Sequence, residues 1–261
     1  MTPALDLLKI QSLSVDVRQI QKTIVKNINL TVKSETIVAL VGGSGSGKTT
    51  TGLATIGLLP PALRISQGEI IFEGRNLHNL TPAQMRLLRG KDISMVFQEP
   101  LWAFNPVMTI GDQIKEVLDA HLDLSHEKKK HMVLEALAKV EIPDPVRIAR
   151  SYPHQLSGGL RQRAMIAQAI IAHPKLVIAD EPTSNLDVTV QARIMALLKK
   201  LRQELKLSVL LITHDLGMVQ HLADEVAVMQ QGSIVEAGTA AQVLGNPRHP
   251  YTTQLMKALH V

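Results

Sequence analysis

Gly42-Gly43-Ser44-Gly45-Ser46-Gly47-Lys48-Thr49 joins four glycines to a terminal Lys-Thr pair, the residue types needed to wrap a polyphosphate. Glycines let the backbone turn its N–H groups inward, and a helix starting there adds partial positive charge. Lys48 would then reach the β- and γ-phosphates, and Thr49 would ligate Mg²⁺. An octet of this form should arise by chance on the order of once in a hundred chains of this length. A merely flexible turn gives no reason for the Lys-Thr ending. A dinucleotide fingerprint is disfavoured as well, since no Gly-x-Gly-x-x-Gly occurs.

A second group supplies reacting carboxylates. Leu176-Val177-Ile178-Ala179 is an apolar run that ends in Asp180-Glu181-Pro182. Two carboxylates leave together at a strand's C-terminal end, where open α/β sheets bind ligands. Asp180 is expected to hold the Mg²⁺ through its water shell, and Glu181 to polarise the water that attacks the γ-phosphate. Alone, Asp-Glu-Pro would simply end a strand in solvent. The elements that must position these groups are also legible. Ile37 to Val41 reads as a buried strand and Thr49 to Leu59 continues at helical length, so the glycines fall between strand and helix. Val209 to Ile212 is another apolar run, and His214 follows it. Ser157-Gly158-Gly159 precedes a predicted helix, Leu160 to Ala172, so a second anion site is expected at that helix N-terminus.

Gly42 to Thr49, Gln98, Leu156-Ser157-Gly158-Gly159, Asp180-Glu181, Ser184-Asn185-Leu186-Asp187 and His214, in that order, resemble the nucleotide-binding subunit of an ABC transporter. The resemblance runs from about residue 7 to the C-terminus. It implies an α/β fold: a P-loop NTPase of the ABC type, with a RecA-like core, an antiparallel β subdomain and an inserted helical subdomain. It also implies roles. Gln98 would be the loop glutamine that senses Mg²⁺ and the membrane partner, so that Thr49, Gln98 and Asp180 attend the metal of MgATP. Gly42 through Lys48, with Thr49 and Thr50, would bind ATP. Ser157, Gly158 and Gly159 would clamp the γ-phosphate held by the opposite subunit. Asp187 would lie in the subunit-crossing loop, and Glu181, His214 and Gln98 would serve catalysis. Two anion sites in one chain need not face each other, and the resemblance implies a head-to-tail dimer that closes on ATP and reopens after hydrolysis. Its implied partners are a second ATPase, two membrane permeases and an extracytoplasmic solute-binding protein.

Composition sets limits. The chain has 261 residues, a net charge of +5 and no cysteine, which excludes disulfides, thiolate zinc sites and iron–sulfur clusters within it. No apolar stretch reaches the ~18 residues needed to span a bilayer. Met1 to Ile10 carries Asp6 and lacks a basic region followed by an apolar core, so no signal peptide is expected. The chain is expected as a peripheral subunit on the cytoplasmic face of the inner membrane. Its basic residues are dispersed apart from Lys128-Lys129-Lys130, and aromatic residues make up only 2 %, which argues against nucleic acid as a partner. His126 and His131, five apart on a predicted helix, should point in different directions and offer no metal site.

Four segments are expected: 1–90, the antiparallel β layer and the first part of the ATP-binding core; 91–160, the loop glutamine and a helical subdomain ending in the signature; 161–240, the remaining core; and 241–261, a short tail. Leu13 to Val17, Ile28 to Val32 and Gly68 to Phe72 alternate as strands. Thr109 to Ala149 has helical spacing, interrupted by Pro143 and Pro145, and Val209 to Ala240 returns to strands and turns.

Two stretches narrow the subfamily. Phe97 to Pro106 and Pro247 to Thr252 resemble ATPases serving peptide and nickel importers. Peptide-type members often carry a cysteine-bearing extension beyond the His-Pro-Tyr tail, and many read Ser-Leu-Asn-Pro where this chain reads Ala103-Phe104-Asn105-Pro106. These differences favour nickel import, with di- or oligopeptide import as the alternative. A soluble ABC ATPase and an exporter motor fit less well. Trp102 and Phe104 are expected to line the groove that receives a permease's coupling helix. Departures from the family pattern are Leu160 after the signature glycines and Val17 where an aromatic residue usually stacks on adenine, so that π-stacking is lost. They suggest a heterodimer with unequal sites.

Overall fold

The computed structural model describes residues 6–20 and 22–257, without the side chain of Trp102. The expectation for Trp102 therefore lies outside the described residues, as does that for the first five positions. In chain order the strands are β1 (Asp6–Val17), β2 (Thr23–Lys33), β3 (Ile37–Val41), β4 (Leu63–Phe72), β5 (Arg75–Asn76), β6 (Ile93–Val96), β7 (Leu176–Asp180), β8 (Ser208–Thr213), β9 (Glu225–Gln230) and β10 (Ser233–Thr239). The chain divides into two compact units, Met1–Arg86 with Lys206–Val261, and Leu87–Leu205.

The first unit contains both sheet types. Its antiparallel sheet runs β2-β1-β4-β5. Leu8, Ile10, Leu13 and Val15 of β1 are buried against Val25, Ile28, Leu30 and Val32 of β2. Register shifts on both sides of β1 move its buried face where the strict alternation would fail. The other sheet places β3 between β9 and β8, all three parallel, with β10 antiparallel on β9. Every residue of β3 and β8 is buried. A strand covered on both faces reads as an unbroken apolar run rather than an alternation, as both do in the sequence. Between Val209 and Ala240 the chain also forms a helix, Leu216–Leu222, capped by the Asp215 side chain on the Met218 N–H. That helix was not expected, because its seven residues carry too few turns to show a period.

The second unit pairs β6 with β7 in parallel and carries the helical segment. Thr109 to Ala149 forms three helices, Ile110–His121, His126–Lys139 and Pro145–Arg150. Thr109, Ser125 and Asp144 cap them, each accepting a hydrogen bond from an N–H in the first turn. Pro145 starts the third helix rather than merely interrupting, because its missing N–H costs nothing in the first turn. Ile110, Ile114, Leu118, Leu137 and Ile148 are fully buried. The helix after the glycine-rich signature covers Gly158–Ile170, two residues earlier than expected, since Ser157 caps it by accepting from the Leu160 N–H.

Candidate functional site

Each unit carries its own share of the expected chemistry. In the first, β3 leads into the glycine-rich loop and the helix Lys48–Thr55. Val41 pairs with Thr213 on β8, so the loop and His214 leave adjacent strands at the same level. Three loop glycines have positive φ: Gly42 at 153°, Gly45 at 73° and Gly47 at 106°. A Cβ on Gly42 would overlap the Met229 carbonyl oxygen, whereas one on Gly45 would meet nothing within 4 Å. The loop is thus pressed against β9 at its start and open at its middle.

That open face suits a polyphosphate. Gly47 occupies the cap position of the following helix without any side-chain cap, so no side chain closes off the positive end of that helix. Ser46 Oγ is buried and has no hydrogen-bond partner. Lys48 is 5 % exposed, and its Nζ donates to the Gly42 and Gly43 carbonyl oxygens at 2.9 Å each. Its cation rests on the loop's own backbone. Gly42→Ala should lower stability by about 2 kcal/mol, through overpacking against β9 and a backbone conformation that L side chains rarely adopt. Chemical denaturation measures this, and an unchanged midpoint would mean that the loop can retreat from Met229.

In the second unit the register Val96↔Ala179 brings the segments after β6 and β7 side by side. Asp180 ends β7 at 3 % exposure. Gln98 Nε2 donates to Glu181 Oε2 at 2.9 Å. Two further bonds join the same segments: Ser184 Oγ donates to the Gln98 carbonyl oxygen at 3.2 Å, and Asn185 Nδ2 to Glu99 Oε1 at 2.6 Å. Glu181 and Asn185 both have left-handed backbone, with φ of 43° and 61°. For Asn this is ordinary, and for Glu181 it is a local strain held by its surroundings.

The signature residues and Asp187 are also near neighbours. A Cβ on Gly158 would lie 3.2 Å from Leu186 Cδ2, and one on Gly159 would lie 3.0 Å from Val190 Cγ1. Glycine is what allows the signature helix to start so close to the helix Val188–Leu205. Asp187 Oδ1 accepts from the Val190 N–H at 2.9 Å and caps that helix.

Sequence reasoning missed several supports. Gln113, 4 % exposed, accepts the Asn105 N–H at 2.7 Å and donates to the Asn105 and Met108 carbonyl oxygens at 3.1 Å each, fixing the turn after the loop glutamine. A glutamine inside an otherwise apolar helix face was the available signal. The contacts of Glu99 and Ser184 described above could not be read from the motifs in which these residues stand, because they join segments far apart in the chain. Phe104 corrects an expectation: it is 3 % exposed and so does not line an open groove. Burying the ring gains roughly 2–3 kcal/mol, which the short helix Pro100–Ala103 allows by turning it inward. Among the described residues, Phe97, Leu101 and Val107 are the exposed large apolar side chains around this stretch instead. Val17 ends β1 half-buried.

Among the described residues no helix is long and apolar enough to cross a membrane. Residues 25–184 match the family model described as ABC transporter. The oligopeptide transport ATP-binding protein OppD of Bacillus subtilis is 46 % identical over 90 % of this chain and 66 % of its own length. The dipeptide transport ATP-binding protein DppD of the same organism is 48 % identical over 86 % and 67 %. The glutathione import ATP-binding protein GsiA of Salmonella typhimurium is 46 % identical over 90 % of this chain but 39 % of its own. The chain thus spans about two thirds or less of these relatives. Among solved structures, a dimeric ATP-binding cassette bound to ADP and Pi superposes with a TM-score of 0.79 at 28 % identity, covering 89 % of this chain and 98 % of that one. The cbiO1 protein of Clostridium perfringens, part of an ABC transporter complex, gives 0.80 at 26 % identity over 97 % and 99 %. With the α/β fold, the glycine-rich loop and the paired carboxylates in place, the chain belongs to the ABC transporter family of ATP-binding proteins.

Proposed function

We propose that this chain hydrolyses ATP to drive import through a membrane transporter, with di- or oligopeptides as the cargo class. The observation that carries the hydrolytic reading is Glu181 at the end of β7, oriented by Gln98 at 2.9 Å, in a chain that also holds an open phosphate cradle. Lys48 binds the phosphates, Glu181 accepts a proton from the attacking water, and His214 acts on the γ-phosphate side. Thr49, Asp180 and Gln98 are the groups that would hold Mg²⁺, which supplies neutralising charge on the phosphate oxygens. Ser157, Gly158 and Gly159 would serve a nucleotide bound by a second ATPase subunit, a reading supported by the similarity to a cassette solved as a dimer.

The cargo proposal departs from the expectation of nickel. The relatives are named for oligopeptides, dipeptides and glutathione, and nickel has no support from them. Ala103-Phe104 in place of Ser-Leu was one of the two differences that weighed toward nickel, and the burial of Phe104 makes that residue a packing choice rather than a mark of cargo. Permease subunits, a heterodimeric ATPase partner, an extracytoplasmic binding protein and a position on the cytoplasmic face of the membrane complete the proposal. Phe97, Leu101 and Val107 offer the apolar contact for the permease. Uptake of a labelled dipeptide and of radiolabelled nickel, measured side by side in cells with intact protein or Glu181→Gln, tests it. Selective loss of dipeptide uptake is expected. Selective loss of nickel uptake would return the cargo to the metal, and loss of neither would remove the transport role.

A further inference from the structure

The tail after β10 reaches back to the phosphate loop. The Gly43 N–H donates to the Tyr251 hydroxyl at 2.9 Å, across 208 residues of chain. Gly42 C=O and Gly43 N–H are the two ends of one planar trans peptide, so they point in opposite directions. Lys48 Nζ holds the oxygen end at 2.9 Å while Tyr251 holds the nitrogen end. Both residues flanking this peptide are glycines, and neither has a Cβ to resist its rotation. We propose that Tyr251 is a positioning residue for nucleotide binding: its hydroxyl keeps the Gly42–Gly43 peptide from turning over when Lys48 leaves the Gly42 carbonyl for phosphate.

The tail is built to present that hydroxyl. Glu236 on β10 accepts the Arg248 N–H at 2.8 Å and the His249 N–H at 3.0 Å, one on each carboxylate oxygen. His249 Nδ1 accepts the Tyr251 N–H at 3.2 Å, fixing the first turn of the helix Pro250–Lys257. Burial disfavours the charged Glu236, yet its polar surroundings, the Arg248 and His249 N–H groups among them, outweigh it and hold its carboxyl below the usual range. A cavity of about 730 Å³, bordered by Glu236, Gln242, Asn246 and Arg248, lies beside the tail. Hydrogen bonds to Glu236 and from Gly43 tie the tail to the core. Gly43 bears directly on the contact, since a Cβ there would stand 3.0 Å from the Tyr251 oxygen.

This inference rests on the nucleotide-binding reading, and the test separates the two. Tyr251→Phe keeps the ring and removes only the acceptor. In the full-length protein, amide exchange at Gly43 should accelerate and ATP affinity should fall about threefold to tenfold, the range of one net hydrogen bond. In the assembled complex the loss should appear in KM, with kcat at saturating ATP changed less than about twofold. Glu236→Ala, which releases the tail, should give the same change, and the double variant no more than either alone. Unchanged exchange at Gly43, or parental ATP affinity in Tyr251→Phe while Lys48→Ala is impaired, would overturn the role of Tyr251 alone. Parental ATP affinity in Lys48→Ala would instead overturn the nucleotide reading, leaving Gly43 exchange to decide on the tail contact. A lower melting temperature without a change in ATP affinity would reduce Tyr251 to a packing residue.

Discussion

Glu181→Gln should retain ATP and lose hydrolysis by about 10²–10⁴-fold, the usual contribution of a positioned general base. The substitution isolates chemistry from structure because the amide oxygen can still accept the hydrogen bond that Gln98 gives to the Glu181 carboxylate at 2.9 Å. The side chains have nearly the same shape, and the left-handed backbone at position 181 is as strained for one as for the other. What disappears is a group able to take a proton from water. Single-turnover hydrolysis in the assembled complex, beside equilibrium ATP binding, makes the measurement. ATP turnover at the parental rate would move the catalytic carboxylate elsewhere. Trapping of a closed dimer on ATP is the corollary, visible by size-exclusion chromatography.

Lys48→Ala should weaken ATP binding by roughly 10- to 100-fold, as expected for losing a charge-assisted contact of about 1.5–3 kcal/mol. The same change removes the cation that donates to the Gly42 and Gly43 carbonyl oxygens. Two consequences follow with opposite effects on a melting curve. The buried ammonium no longer has to be desolvated, but two carbonyls lose a hydrogen bond, that of Gly43 keeping the Ser46 N–H at 3.3 Å. The affinity loss should therefore be far larger than any change in melting temperature. Titration with ATP and with ADP, read by a fluorescent nucleotide or by calorimetry, measures it. Equal affinities in parent and variant would remove Lys48 from the phosphate site.

Legibility in the sequence followed the range over which each feature is determined. The phosphate loop was readable because its needs are local: glycine where φ is positive or a Cβ would strike Met229, and Lys-Thr where the helix begins. Strands β3, β7 and β8 were readable because burial on both faces writes an unbroken apolar run. Gln98 could be assigned by resemblance, but its contact with Glu181 depends on β6 and β7 pairing in register, which joins residues 83 positions apart. Tyr251 was visible only as part of a tail pattern. Nothing near it in sequence indicates Gly43, and only the folded chain brings the hydroxyl to that N–H. Phe104 erred in the other direction, since an aromatic residue beside an apolar loop reads equally well as surface anchor or as core.

The three side-chain bonds between residues 98–99 and 181–185 amount to a latch with a small opening energy. All three are exposed, and at about 0.5–1 kcal/mol net each they total roughly 1.5–3 kcal/mol. An energy of that size leaves the unlatched arrangement populated in roughly one molecule in 10 to one in 150. A ligand or a membrane partner that preferred one arrangement by a few kcal/mol would reverse the majority, whereas one indifferent to the arrangement would leave it unchanged however tightly it bound. The carboxylate at Glu181 would then be oriented for water in one population and released in the other, so that the rate of ATP use would follow occupancy of the surface that these two segments share.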